Sequence, residues 1–176
     1  MDNIEVLISQ EELEEKTTQL ARIITEEYQN EDLVLICILK GAVYFAIDLS
    51  RKIENQNLIL DFMKVGSYGE ETVSSGQIDL KYDLSNSVEG KNVIIVEDII
   101  DTGYTLEYLK NYLALKKPKS IKICVLLDKE ARRKVNISPD YYGFKIPDEF
   151  VVGYGLDYKD KYRNLPYVGY VRKRTK

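Results

Sequence analysis

The stretch VIIVEDIIDTGYT, residues 93–105, concentrates the reactive side chains of this chain. Four β-branched residues, Val93 to Val96, run into three carboxylates, Glu97, Asp98 and Asp101. A small turn at Thr102-Gly103 follows, and a helical pattern opens at Tyr104. In an open parallel sheet, ligands sit at the carboxyl ends of the strands, so Glu97 and Asp98 are expected in a crevice. Asp101-Thr102-Gly103-Tyr104-Thr105 then offers backbone amides at a helix N-terminus, where the helix dipole favours an anion such as phosphate. Gly103 permits close backbone approach, and the hydroxyls of Thr102 and Thr105 add donors. A phosphate cradle beside three carboxylates needs a ligand that places hydroxyls or a cation between them. A phosphorylated sugar does so: its phosphate takes the amides, its hydroxyls donate to the acids, and Mg²⁺ balances the remaining charge. Taken alone, the same residues also suit solvated acids at a strand end followed by a helix cap.

The rest of the composition narrows the chemistry. The chain has no histidine, which removes the usual general base, the commonest zinc ligand and every Ser-His or Cys-His device. Catalysis is left to carboxylates, Lys, Arg, Tyr or a hard metal ion. Cys37 and Cys124 sit in the apolar runs VLICIL and IKICVLL, where a thiol behaves as a small hydrophobe; a reducing, cytoplasmic setting is the expectation. With 25 basic against 29 acidic residues, nothing draws the whole chain to nucleic acid or to an anionic membrane. The opening MDNIEVLISQEELEE is acidic without an apolar centre, so no signal peptide is expected. No run approaches the roughly 18 apolar residues of a membrane helix.

These side chains need a frame. At 176 residues, one domain with a packed core is expected. Ser9 with Glu12 forms a capping-box pattern, and Leu13, Leu20, Ile24 and Tyr28 share a face of the helix that follows. LVLICIL (33–39), LILDFMKV (58–65), NVIIVE (92–97) and SIKICVLL (120–127) read as strands, the first and last two buried on both faces. AVYFAIDLSRKI and TLEYLKNYLAL (105–115) read as helices, and the alternating QIDLKYDL (77–84) as an edge strand. YYGFKI, FVVGYGL and YVGYVRK read as short strands joined by turns. Buried strands alternating with amphipathic helices predict an α/β fold, a mostly parallel twisted sheet flanked by helices.

The signature at 93–105 resembles the phosphoribosyl-diphosphate binding motif of the type I phosphoribosyltransferases. LKG (39–41), SYG (67–69), LLDK (126–129) and PDEFVVGYGLDYKDKYRNLPYVG (147–169) match the 6-oxopurine branch, in the same order along nearly the whole chain. The chain is therefore similar to bacterial hypoxanthine-guanine phosphoribosyltransferases. The resemblance implies a small hood built from the chain ends, Mg²⁺ as cofactor, a homodimer or homotetramer, and hypoxanthine, guanine and phosphoribosyl diphosphate as substrates. It implies Asp101 as the base that takes the proton from purine N7. Glu97 and Asp98 would meet the ribose hydroxyls and Mg²⁺, and Thr102, Gly103, Tyr104 and Thr105 would cradle the 5′-phosphate. Tyr104 stands where relatives vary, and its amide still serves.

By the same resemblance, Lys40, Gly41 and Arg163 contact pyrophosphate, with Leu39-Lys40 expected as a cis peptide that frees an amide. Lys129 recognises the purine 6-oxo group, Phe150 stacks on the ring, Val151 meets its edge, and Asp157 lies by Mg²⁺ and the purine. Residues 66–76, with Ser67 and Tyr68, would close over the diphosphate. Each piece has a plainer reading: a strand-ending Lys-Gly turn, a core phenylalanine, a charged loop at DYKDKYR, a basic solvated helix at KEARRK. That last cluster is too small a footprint for RNA in an acidic chain. A regulator that binds phosphoribosyl diphosphate without catalysis is the other functional class. Adenine carries a donor amine where Lys129 requires an acceptor, which disfavours it as substrate; xanthine stays open.

Overall fold

The computed structural model describes residues 3–67 and 78–172. Its elements run β1 (Asn3–Ile8), α1 (Gln10–Glu27), β2 (Leu33–Ile38), α2 (Val43–Lys52), β3 (Leu58–Ser67), β4 (Ile78–Tyr82), β5 (Asn92–Ile100), α3 (Tyr104–Ala114), β6 (Ser120–Asp128), β7 (Tyr141–Lys145), β8 (Val151–Val152) and β9 (Val168–Arg172). A single 3-10 turn occupies Glu130–Arg132.

The apolar runs become the centre of a six-stranded sheet of order β4-β3-β2-β5-β6-β7. All its neighbours pair in parallel except β4, which closes one edge antiparallel to β3. Successive side chains of a strand alternate between faces, and β2 is apolar on both. Leu33, Leu35 and Cys37 pack with Leu13, Leu20 and Ile24 of α1 and Phe45 and Leu49 of α2. Val34, Ile36 and Ile38 pack on the other face with Leu106, Leu109 and Leu113 of α3. This double burial is why a parallel strand reads as a continuous apolar run.

The chain leaves β2 toward β3 on one side and β5 toward β6 on the other. The strand order therefore reverses between β2 and β5, and a crevice opens outside their carboxyl ends. Those ends carry Leu39-Lys40-Gly41 and the acids of the 97–101 segment. The capping box opens α1 as expected, with Ser9 N–H donating to Glu12 (2.8 Å) and Glu12 N–H to Ser9 Oγ (3.2 Å). A second, three-stranded antiparallel sheet of order β1-β9-β8 joins the two ends of the described chain and forms the hood.

Three details depart from the sequence reading. β5 continues to Ile100, so Glu97 and Asp98 lie within its last turn of pleat and not beyond it. KEARRK forms one 3-10 turn in place of a helix. β1 pairs with β9 although NIEVLI carried no strand expectation. Ser67 ends β3, and Tyr68 with the rest of the expected closing segment lies outside the described residues. Among the described residues no helix is long and apolar enough to cross a membrane.

Candidate functional site

Two adjoining clefts open at the crevice, of about 370 and 230 Å³, and both are walled by Glu97, Asp98 and Thr105. The larger also receives Lys40, Gly41, Asp157 and Arg163. The smaller is bounded by Asp101, Thr102 and Gly103. A roomier cavity of about 520 Å³, beside Tyr44, Asp48 and Tyr154, contains none of the expected site residues.

Glu97 and Asp98 form the floor. Burial pushes the Glu97 carboxyl well above the usual range, and the adjacent Asp98 charge pushes it further. Burial also raises Asp98, against the Ile99 amide that donates to its Oδ1 at 2.8 Å. The Arg163 charge offsets part of this at Asp98, while Glu97 is left facing the second acid. Among the described residues no three acids, cysteines or histidines converge into a metal cage. A pair of oxygen donors suits a hard divalent ion, which is bound by one or two carboxylates and completes its shell with water and substrate phosphate.

The cation end joins the loop after β2 to the connection between β8 and β9. Leu39-Lys40 is cis, and Gly41 packs so closely on Asp98 that a side chain there would overlap Oδ2. Gly155, at φ +102°, approaches the Gly41 carbonyl with the same closeness, a conformation and a contact that both exclude a Cβ. Arg163 donates to the Gly155 carbonyl (2.7 Å) and pairs with Asp157 (2.8 Å). Lys40 reaches Asp160 at 3.2 Å, and Lys40, with Arg163 behind it, holds the Asp160 carboxyl below its ordinary range. Lys40 and Arg163 thus stand together, with acids balancing them. Asp157 faces Arg163 in preference to joining Glu97 and Asp98.

The anion end is the turn before α3. Gly103 caps the helix at φ +91°, ψ −10°, and Thr102, Gly103 and Thr105 line the smaller cleft. Its missing side chain leaves room for Ile137, Val135 and Arg133, all within 3.0 Å of where a Cβ would stand. Arg133 was not among the expected residues. Its guanidinium pairs with buried Asp128 (2.5 Å) and donates to the backbone carbonyls of Asp101 (3.1 Å) and Ile137 (2.6 Å). One side chain straps the turn to the end of β6. LLDK contained the cue, because an acid closing a buried strand needs a partner.

At the third corner Lys129 is 8% exposed, its amide bonded to the Ile100 carbonyl (3.0 Å), so it stands beside the Asp101 segment. Its ammonium lies 3.9 Å from Asp148. Phe150 is 53% exposed and meets Tyr158 edge-on at 5.6 Å, while Val151 is buried in β8. Lys129, Phe150 and Val151 line neither of the two clefts; an exposed aromatic face and a recessed ammonium are the groups that receive a flat ring with an acceptor oxygen. Cys37 and Cys124 are free and buried; burial pushes the Cys37 thiol up to about 12, so neither supplies a nucleophile.

Residues 7–159 match the family model described as the phosphoribosyl transferase domain. The chain is 51% identical to the hypoxanthine-guanine phosphoribosyltransferase of Bacillus subtilis, over 95% of this chain and 92% of that protein. It is 52% identical to the bifunctional protein TilS/HprT of Listeria innocua over 95% of its own length, but spans only 26% of that protein. The crystal structure of a Bacillus anthracis hypoxanthine-guanine phosphoribosyltransferase superposes with a TM-score of 0.92 at 47% identity, covering 98% of this chain and 100% of that one.

Proposed function

The chain belongs to the phosphoribosyl transferase family, and from that premise we propose that it transfers the 5-phosphoribosyl group of phosphoribosyl diphosphate to hypoxanthine or guanine, in purine salvage. The observation that carries this is the Glu97–Asp98 pair, lining one cleft with Lys40, Gly41 and Arg163 and an adjoining one with the turn at Asp101, Thr102 and Gly103. A ligand with phosphate at one end, diphosphate at the other and hydroxyls between them satisfies all three.

In this reading the turn at Thr102–Thr105 takes the 5′-phosphate on its amides and the helix dipole. Glu97 and Asp98 accept from the ribose hydroxyls and would hold a divalent cation, which when bound offsets the charge of the diphosphate. Lys40, the Gly41 amide and Arg163 receive the leaving pyrophosphate, exchanging Asp160 and Asp157 for it. The purine lies on Phe150 with Val151 at its edge and its 6-oxo group on Lys129. The bond from the anomeric carbon to the diphosphate oxygen breaks and the bond to purine N9 forms. Asp101 takes the N7 proton, a positioned transfer worth roughly 10²–10⁴ in rate.

The test is product formation from hypoxanthine, guanine, xanthine and adenine, each with phosphoribosyl diphosphate and Mg²⁺. Nucleotide and pyrophosphate are expected from the first two and not from adenine. Release of neither product from any purine would refute the assignment.

A further inference from the structure

Arg132 lies outside every role assigned so far, yet it touches the base. The 3-10 turn after Lys129 folds it back, with the Arg132 amide bonded to the Lys129 carbonyl at 3.0 Å. Its Nε then sits 2.7 Å from Asp101 Oδ1, and its Nη1 3.3 Å from Asp148 Oδ1. The same Asp148 oxygen faces Lys129 Nζ at 3.9 Å. Lys129, Asp148, Arg132 and Asp101 therefore form a line of alternating charge. The two ends of that line are the two groups a 6-oxopurine must meet at once, the donor to its oxygen and the acceptor of its N7 proton.

A second observation bears on what the contact does. Asp101 Oδ1 is buried and accepts no aligned hydrogen bond, although Arg132 Nε is close beside it. The guanidinium holds the carboxylate by its charge, at close range on one oxygen. An ordinary exposed ion pair contributes at most about 1 kcal/mol and orients little. Here the oxygen is out of solvent, and one planar fork is shared between two acids, which fixes both by the same group.

Resting on the phosphoribosyl-transfer reading, we propose that Arg132 is a positioning residue. It aims Asp101 at N7 and, through Asp148, sets the distance from the base to Lys129. It does not contact the phosphoribosyl part of the substrate.

Arg132→Gln tests this by steady-state kinetics with hypoxanthine. We expect kcat to fall about tenfold, because a small misplacement of a reacting group costs a factor of that order. The KM for phosphoribosyl diphosphate should stay within about twofold of wild type, and Arg132→Lys should recover part of the loss. Asp148→Asn should lower kcat less, and its effect should largely vanish in the Arg132→Gln background, because the two share one network. Unchanged kcat in Arg132→Gln, a matching rise in the phosphoribosyl-diphosphate KM, or fully additive effects would each overturn the proposal. An inactive wild type would instead overturn the functional reading, and this proposal with it.

Discussion

Asp61 and Glu97 are both acids on inner strands of one sheet, and their surroundings treat them oppositely. Asp61 is buried on β3, and burial alone would raise its carboxyl. The amides of Phe62, Ser85 and Asn86 and the Asn86 side chain all donate to it, at 2.8–3.3 Å, and together hold it below the ordinary carboxylate range. Among the described residues Glu97 receives the Asp98 amide at 3.4 Å, and burial, with the charge and side chain of Asp98, sends it the other way. A carboxylate that fastens a loop is saturated by the protein. One that waits for a ligand is left with its lone pairs unmet. This difference separates the frame from the site more sharply than burial does.

The largest effect expected is at the base. Asp101→Asn should lose about 10²-fold or more in kcat while nucleotide product still binds, because the amides of the cradle remain. Titration of product binding beside turnover checks both halves.

Asp61→Ala belongs to the frame and should act on stability alone. Removing an acceptor shared by several buried donors is expected to destabilise the fold by about 3 kcal/mol, read from urea unfolding. The sign with pH follows from its lowered carboxyl. Its contribution is complete above the unfolded-state value of about 3.9 and is lost as pH falls through the lower folded value. Wild-type stability should fall in that acidic window, and the fall should be shallower in Asp61→Ala.

Gly41→Ala crosses the boundary between frame and site. The new methyl overlaps Asp98 Oδ2, so the Lys40-Gly41 loop or the acid must move. Transfer should drop by up to about 10²-fold, mostly through phosphoribosyl diphosphate, with little change in unfolding. Lys129→Ala should have the smallest effect on turnover with a saturating donor and should narrow the preference for hypoxanthine over adenine by about tenfold or more, measured as a ratio of kcat/KM values.

Local patterns carried much of this into the sequence. Double burial made β2, β5 and β6 legible, the capping box marked α1, and the acids before Thr102-Gly103 announced the cradle. What stayed hidden depends on residues far apart along the chain. β1 is short and carries Glu5, and it is a strand only because Val171 and its neighbours lie beside it. Gly155 falls in FVVGYGL, which reads as a short strand, yet only Val151–Val152 is strand and Gly155 turns against Gly41. Arg132 and Arg133 belong to one charged run that reads as a solvated face. A single 3-10 turn sends one to Asp101 Oδ1 and the other to Asp128.

The claim that Glu97 and Asp98 are held unmet for a ligand is tested most directly by thermal unfolding of the Glu97→Gln/Asp98→Asn double variant beside wild type. Each is measured alone and with phosphoribosyl diphosphate and Mg²⁺. The variant alone should melt at or above wild type, because two half-buried neighbouring acids with raised carboxyls are gone. With ligand at about a hundredfold excess over Kd, wild type should rise by roughly 5 °C or more and the variant should barely move. A variant that is less stable alone and gains as much as wild type from the ligand would contradict the account.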